Sequence, residues 1–225
     1  MIKVNAWIDE LIGKLDKALD ERLLFVGLQG SYVRGEATED SDLDIMVVLD
    51  ELDIAALKNY KDIVASMESS DKACGFICGK DELYHWPKYE LFHVLNETKD
   101  CYGNLRELIP EFHVNDIRDY VRINAANLYH AVCHTFIYSS KEDTCNQLYH
   151  LYKGTFFILQ NNYYVENGEY VRTKAELATK LTGDDKEILD VLVRWNDVNK
   201  DLQSRYEHYI SILMNWCKAF IIKYQ

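Results

Sequence analysis

The chain has 225 residues, 48% of them hydrophobic, with only 2 prolines and 10 glycines, a composition that excludes disordered, collagen-like and low-complexity architectures. Its 37 acidic against 25 basic side chains leave a net charge of −12, so no broad cationic face is available for a nucleic-acid backbone and no nucleic-acid partner is expected. No run approaches the ~18 apolar residues of a membrane span, and the start, MIKVNAWIDELIGKLDKAL, carries acids on a helical period; a cytoplasmic protein with no membrane partner is expected, its six scattered cysteines reduced.

In chain order, Ile8, Leu11, Ile12, Leu15 and Leu19 recur on one face and predict an opening helix. LLFVGLQG reads as a buried strand ending in glycine, and after a short polar stretch LDIMVVLD reads as a second. A helix over about 54–67, a third strand around Cys74 to Cys78 and a short fourth strand at YELFHVL complete this α/β half. Beyond Pro110 the pattern is helical only. Asn115 is the expected N-cap of a helix carrying Ile117, Val121, Ala125, Leu128, Val132 and Phe136, and a second runs through Leu148 and Leu159 to Asn167-Gly168. Thr173 with Glu176 predicts a capped third helix, Asp184-Asp185 a fourth, and the last begins near Asp201. Two domains are therefore expected, 1–110 and 111–225. Acidity concentrates in the first, with 22 acids and 12 bases, against 15 and 13 in the second.

Chemistry concentrates between Gly27 and Ile45. A strand ends in Gly30-Ser31, and ten residues later Asp42-Leu43-Asp44 opens the next strand. Alternation places Asp42 and Asp44 on one face, ~7 Å apart along the chain, with Leu43 and Ile45 turned to the core. Two converging carboxylates suit a hard divalent cation that bridges to phosphates. Gly30 permits close backbone approach to a phosphate, and Ser31 with the following amides supplies donors. His130 and His134 are four apart, but without an HExxH pattern they read as core or interface histidines, and Cys74-x3-Cys78 lacks a second ligand pair at zinc spacing.

An apolar strand, Gly-Ser, a gap of about a dozen residues and Asp-apolar-Asp-apolar together make the sequence resemble the DNA polymerase beta-like nucleotidyltransferase superfamily. Gly30, Ser31, Asp42 and Asp44 match its signature one for one, and the nearest resemblance is to bacterial aminoglycoside and lincosamide nucleotidyltransferases, which add a helical domain. The resemblance implies an α+β protein, with an N-terminal mixed sheet and helices followed by an all-α bundle that binds substrate or dimerises. It implies transfer of a nucleoside monophosphate from a nucleoside triphosphate, ATP foremost, to a hydroxyl of a small acceptor of aminoglycoside kind, with two Mg²⁺ ions at Asp42 and Asp44. The alternatives are a protein hydroxyl as acceptor, as in antitoxin-like enzymes, or a non-catalytic nucleotide-binding module.

Superfamily members usually add a third carboxylate in an apolar-acid-apolar triplet on a later strand. Tyr89-Glu90-Leu91 fits that triplet, making Glu90 the candidate third metal ligand or general base. Arg34, one helical turn beyond Ser31, and Lys153, on the aromatic helix of the second half, are candidate cations for the triphosphate. The Arg and His spacing of HEPN-type ribonuclease bundles is not met, since Arg122 and His130 have seven residues between them.

Overall fold

The computed structural model describes residues 2–224. They form two compact units that divide between Phe112 and His113.

The N-terminal unit is built on a four-stranded mixed sheet of order β3-β2-β1-β4. Helix α1 (Val4–Leu19) leads through one short 3₁₀ turn into β1 (Leu23–Leu28), followed by the one-turn helix α2 (Gly30–Arg34) and β2 (Leu43–Leu49). Strand β2 pairs antiparallel to β1, then crosses over through α3 (Ile54–Ala65) to the parallel β3 (Ala73–Gly79). Asp53 starts that crossover helix by accepting the Ala56 amide at 2.7 Å.

Strand β2 is buried on both faces, and its alternation sorts the core into two layers. Leu43, Ile45, Val47 and Leu49 pack with Trp7, Ile8, Leu11 and Leu15 of α1. Met46 and Val48 point to the other face, against Phe25, Cys78, Leu83 and Leu91. That second layer is covered by α4 (Lys80–Tyr84), α5 (Lys88–Glu97) and α6 (Leu105–Leu108).

The fourth strand is not at YELFHVL. That segment forms α5, and β4 lies just beyond it at Lys99–Tyr102, antiparallel to β1. Pro87, with φ of −52°, pre-sets a helical entry, and Leu91, Phe92, Val94 and Leu95 recur three to four apart. Strand β4 is too short and polar to carry a period of its own.

The C-terminal unit is entirely helical: α7 (Val114–Tyr138), α8 (Lys141–Asn167), α9 (Lys174–Lys180), α10 (Gly183–Val193) and α11 (Trp195–Lys223). Val121, Ala125, Leu128 and Val132 of α7 pack on Leu148, Tyr152 and Leu159 of α8 and on Leu213 and Phe220 of α11. Three helix starts differ from expectation. His113 rather than Asn115 precedes α7, its amide bound by Asp116 at 2.7 Å, and Thr182 rather than Asp184-Asp185 precedes α10. Asp185 instead accepts the Trp216 indole N–H at 2.7 Å, and α11 starts six residues before Asp201, with a break at Arg205. His130 and His134 are exposed on α7 rather than in the core. No helix among the described residues is long and apolar enough to cross a membrane.

Candidate active site

Leaving the sheet at Leu28, the chain stays tied to β2 because the Gln29 amide donates to the Asp44 carbonyl at 2.8 Å. Gln29 is extended, and Gly30, with φ of 71°, turns the chain into α2. Gly35, also left-handed at φ 69°, closes that turn, and the Glu36 amide returns to the Ser31 carbonyl at 2.9 Å. In so short a helix the leading amides have no carbonyl of their own turn to bind.

Gly30 is required for two separate reasons. Its φ disfavours any residue with a Cβ, and a Cβ there would fall inside the Asp44 carboxylate. The turn and the carboxylate are therefore in close apposition.

Asp44 is partly buried and Asp42, just ahead of β2, is exposed. Asp44 shares the parity of Met46 and Val48, which places it on the α5 layer rather than the α1 layer. A reciprocal turn approaches them, with the Thr38 amide donating to Ser41 Oγ at 2.9 Å and the Ser41 amide to the Thr38 carbonyl at 3.2 Å. The Asp44 carboxylate beside a glycine without a Cβ, with Asp42 two residues ahead of it, offers oxygen donors of the kind that fit Mg²⁺. A cavity of about 660 Å³ lined by Trp7, Glu10, Tyr32, Glu39, Glu68 and Lys72 belongs to the opposite, α1 layer.

Glu90 lies in the first turn of α5, where its Oε2 accepts the Trp86 indole N–H at 2.9 Å. The strand pleat that would have aimed it at the aspartates does not exist. Among the described residues no three His, Cys, Asp or Glu side chains converge as a metal-binding group.

Arg34 is held inside the unit by two acids. Its Nη1 is 2.6 Å from Glu97 Oε2 and its Nε 3.1 Å from Glu36 Oε2, with 7% of the arginine and 6% of the Glu97 side chain exposed. A planar guanidinium held by two carboxylates is a strut inside the unit. Beside it, burial lowers the His93 imidazole pKa to about 4; the Glu97 charge opposes that shift and the Arg34 charge adds to it. His93 is accordingly neutral at pH 7.

Gln29 continues the same cluster: its Nε2 donates to Thr98 Oγ1 at 2.8 Å, and that hydroxyl donates onward to the Val94 carbonyl at 2.6 Å. Sequence reasoning missed Gln29, His93, Glu97 and Thr98. The one legible sign was Glu97, an acid at the C-terminal end of a helix, where the dipole disfavours it unless a cation answers. Lys153 is exposed on α8.

A strand, a Gly-Ser turn and an Asp-x-Asp pair at the head of the next strand make up a signature of nucleotidyltransferase type. The nucleotidyltransferase domain family model matches residues 9–99, which hold the whole of this turn and both aspartates. A Methanocaldococcus jannaschii protein carrying the name "putative protein adenylyltransferase" is 36% identical over 69 residues, 30% of this chain and 69% of that protein. The chain belongs to the nucleotidyltransferase domain family. Its fold is similar to that of spectinomycin adenyltransferase AAD(9) from Enterococcus faecialis, solved with ATP and spectinomycin, with a TM-score of 0.52 and 18% identity over 92% of this chain and 98% of the other.

Proposed function

We propose that the protein transfers a nucleoside monophosphate from ATP to a hydroxyl of a small, polycationic acceptor of aminoglycoside kind, releasing pyrophosphate. The observation that supports this reading is the Gly30 turn seated against the Asp44 carboxylate; backbone amides at a helix start are donors suited to a phosphate, and a carboxylate is a ligand suited to Mg²⁺. The amides after Gly30 and the Ser31 hydroxyl take the triphosphate. Asp42 and Asp44 hold Mg²⁺, which when bound supplies charge neutralisation at the α-phosphate and the departing pyrophosphate. Glu90, on the helix that covers the aspartates' sheet face, accepts the proton of the attacking hydroxyl. A polycationic acceptor suits the acid excess of residues 1–110, with 22 acids against 12 bases.

A second reading keeps the chemistry and makes the acceptor a protein hydroxyl. It is favoured by the 36% identity to a relative named as a protein adenylyltransferase. One experiment separates the two: incubation with each α-labelled triphosphate and Mg²⁺, with spectinomycin, other aminoglycosides and lincosamides in one series and cell extract in another. Label on a drug supports the first reading and label on a protein band the second. No labelled acceptor in either series, with Asp44→Asn as the blank, overturns both.

A further inference from the structure

The segment that forms the phosphate turn is fastened at both ends to two consecutive residues far along the chain. Gln29, immediately before Gly30, binds Thr98 Oγ1 at 2.8 Å, and Arg34, the last residue of α2, binds Glu97 Oε2 at 2.6 Å. We propose that Glu97-Thr98, at the junction of α5 and β4, is a two-point clamp that positions the Gly30-Ser31 turn for the triphosphate, with Gln29, Arg34, Glu97 and Thr98 as positioning residues. The inference rests on the reading of that turn as the triphosphate site.

Each part of the clamp is stiff for a physical reason. Thr98 is buried at the C-terminal end of α5; its hydroxyl is fixed by donating to the Val94 carbonyl, which turns its acceptor side to Gln29. Its methyl group lies where a side chain on Gly27 would go, so the threonine also packs against the end of β1. The Arg34 guanidinium is held by Glu97 on one side and by Glu36, beyond the Gly35 turn, on the other. Ion pairs with so little exposure are poor sources of net stability, yet breaking one strands a buried charge. Their rigidity is their use: the five-residue α2 is too short to hold a fixed shape by its own hydrogen bonds. Amides that must meet a phosphate gain from being ordered before it arrives, because the ordering is then not charged against binding.

The test uses the full chain with Thr98→Val and Glu97→Gln, and Thr98→Ser as the conservative variant that keeps both hydroxyl bonds. Two quantities are read on folded protein: the affinity for Mg²⁺ with ATP by titration calorimetry, and hydrogen exchange of the amides of residues 30–35. Thr98→Val and Glu97→Gln should each weaken ATP binding by about tenfold and speed exchange in the turn by at least about tenfold, leaving β2 amides unchanged, and Thr98→Ser should restore both. A merely structural role would lower the melting temperature while leaving affinity and turn exchange at wild-type values, and that result overturns the clamp. Should Thr98→Val fail to fold, Glu97→Gln decides by the same two readouts. If the wild-type chain binds no triphosphate, the nucleotide reading fails, and the exchange rates still judge the clamp.

Discussion

Replacing Gly30 by alanine probes the tightest point of the site. At φ 71° a residue with a Cβ costs about 1–2 kcal/mol relative to glycine. The added carbon would also fall inside the Asp44 carboxylate, so the turn or that side chain must move by about an ångström to regain ordinary van der Waals separation. The turn has little freedom to yield, being held to the Asp44 carbonyl by the Gln29 amide at 2.8 Å and to Thr98 by the Gln29 side chain at 2.8 Å. Displacement on this scale between reacting groups lowers rates by about 10²-fold. Label transfer from α-labelled ATP should therefore fall by about two orders of magnitude, with a loss of roughly 1–3 kcal/mol in stability. Gly13→Ala is the matched control: Gly13 lies inside α1 with nothing near its missing Cβ, so alanine should stabilise by about 0.5–1 kcal/mol and leave transfer unchanged. Wild-type transfer by folded Gly30→Ala protein would refute the close-apposition argument.

Asp44→Asn should reduce transfer by on the order of 10²–10³-fold while holding or raising the melting temperature, because it removes one of two like charges on a single face; wild-type turnover would exclude Asp44 from the chemistry. Glu90→Gln keeps an acceptor for the Trp86 indole, so stability should change by less than about 0.5 kcal/mol, whereas turnover should fall far more than ATP affinity; equal turnover would remove Glu90 as the base. For His93, the folded pKa near 4 lies below the ordinary value of about 6.5, so the unfolded chain binds the extra proton between the two. The stability contributed by neutral His93 is complete above pH 6.5 and is lost as pH falls toward 4; urea midpoints against pH should show this slope, and His93→Gln should flatten it.

The parts of the fold that the sequence made legible are those where a local period survives into the structure. In LDIMVVLD the strand is legible because every residue from Leu43 to Leu49 but Asp44 is apolar and buried; with both faces covered, burial does not tell the two parities apart, and only the packing partners assign Asp44 to the α5 layer. YELFHVL was misread because seven residues satisfy period two and period 3.6 almost equally, and only Pro87 ahead of it distinguishes them. Strand β4 was invisible because its order comes from pairing with β1 and not from its own side chains. The same holds for Arg34: spacing from Ser31 gave the helical turn correctly, but what an arginine meets depends on Glu97, 63 positions away. Glu90 illustrates the reverse hazard, where an apolar-acid-apolar triplet occurs on a helix as readily as on a strand.

The distance along the chain between the turn and its anchors has a consequence for the order of folding. Gln29 and Arg34 wait for partners 69 and 63 residues downstream, so the ring they close is long and its ends meet only after the intervening helices and strands have condensed. On the ribosome the Gly30-Ser31 segment emerges early and remains without its anchors until Thr98 has followed and β4 has docked beside β1. On the proposed reading of the turn, ordered triphosphate binding is a late property of the unit, absent from any nascent chain that stops short of Thr98. The matched domain, residues 9–99, ends one residue past that anchor.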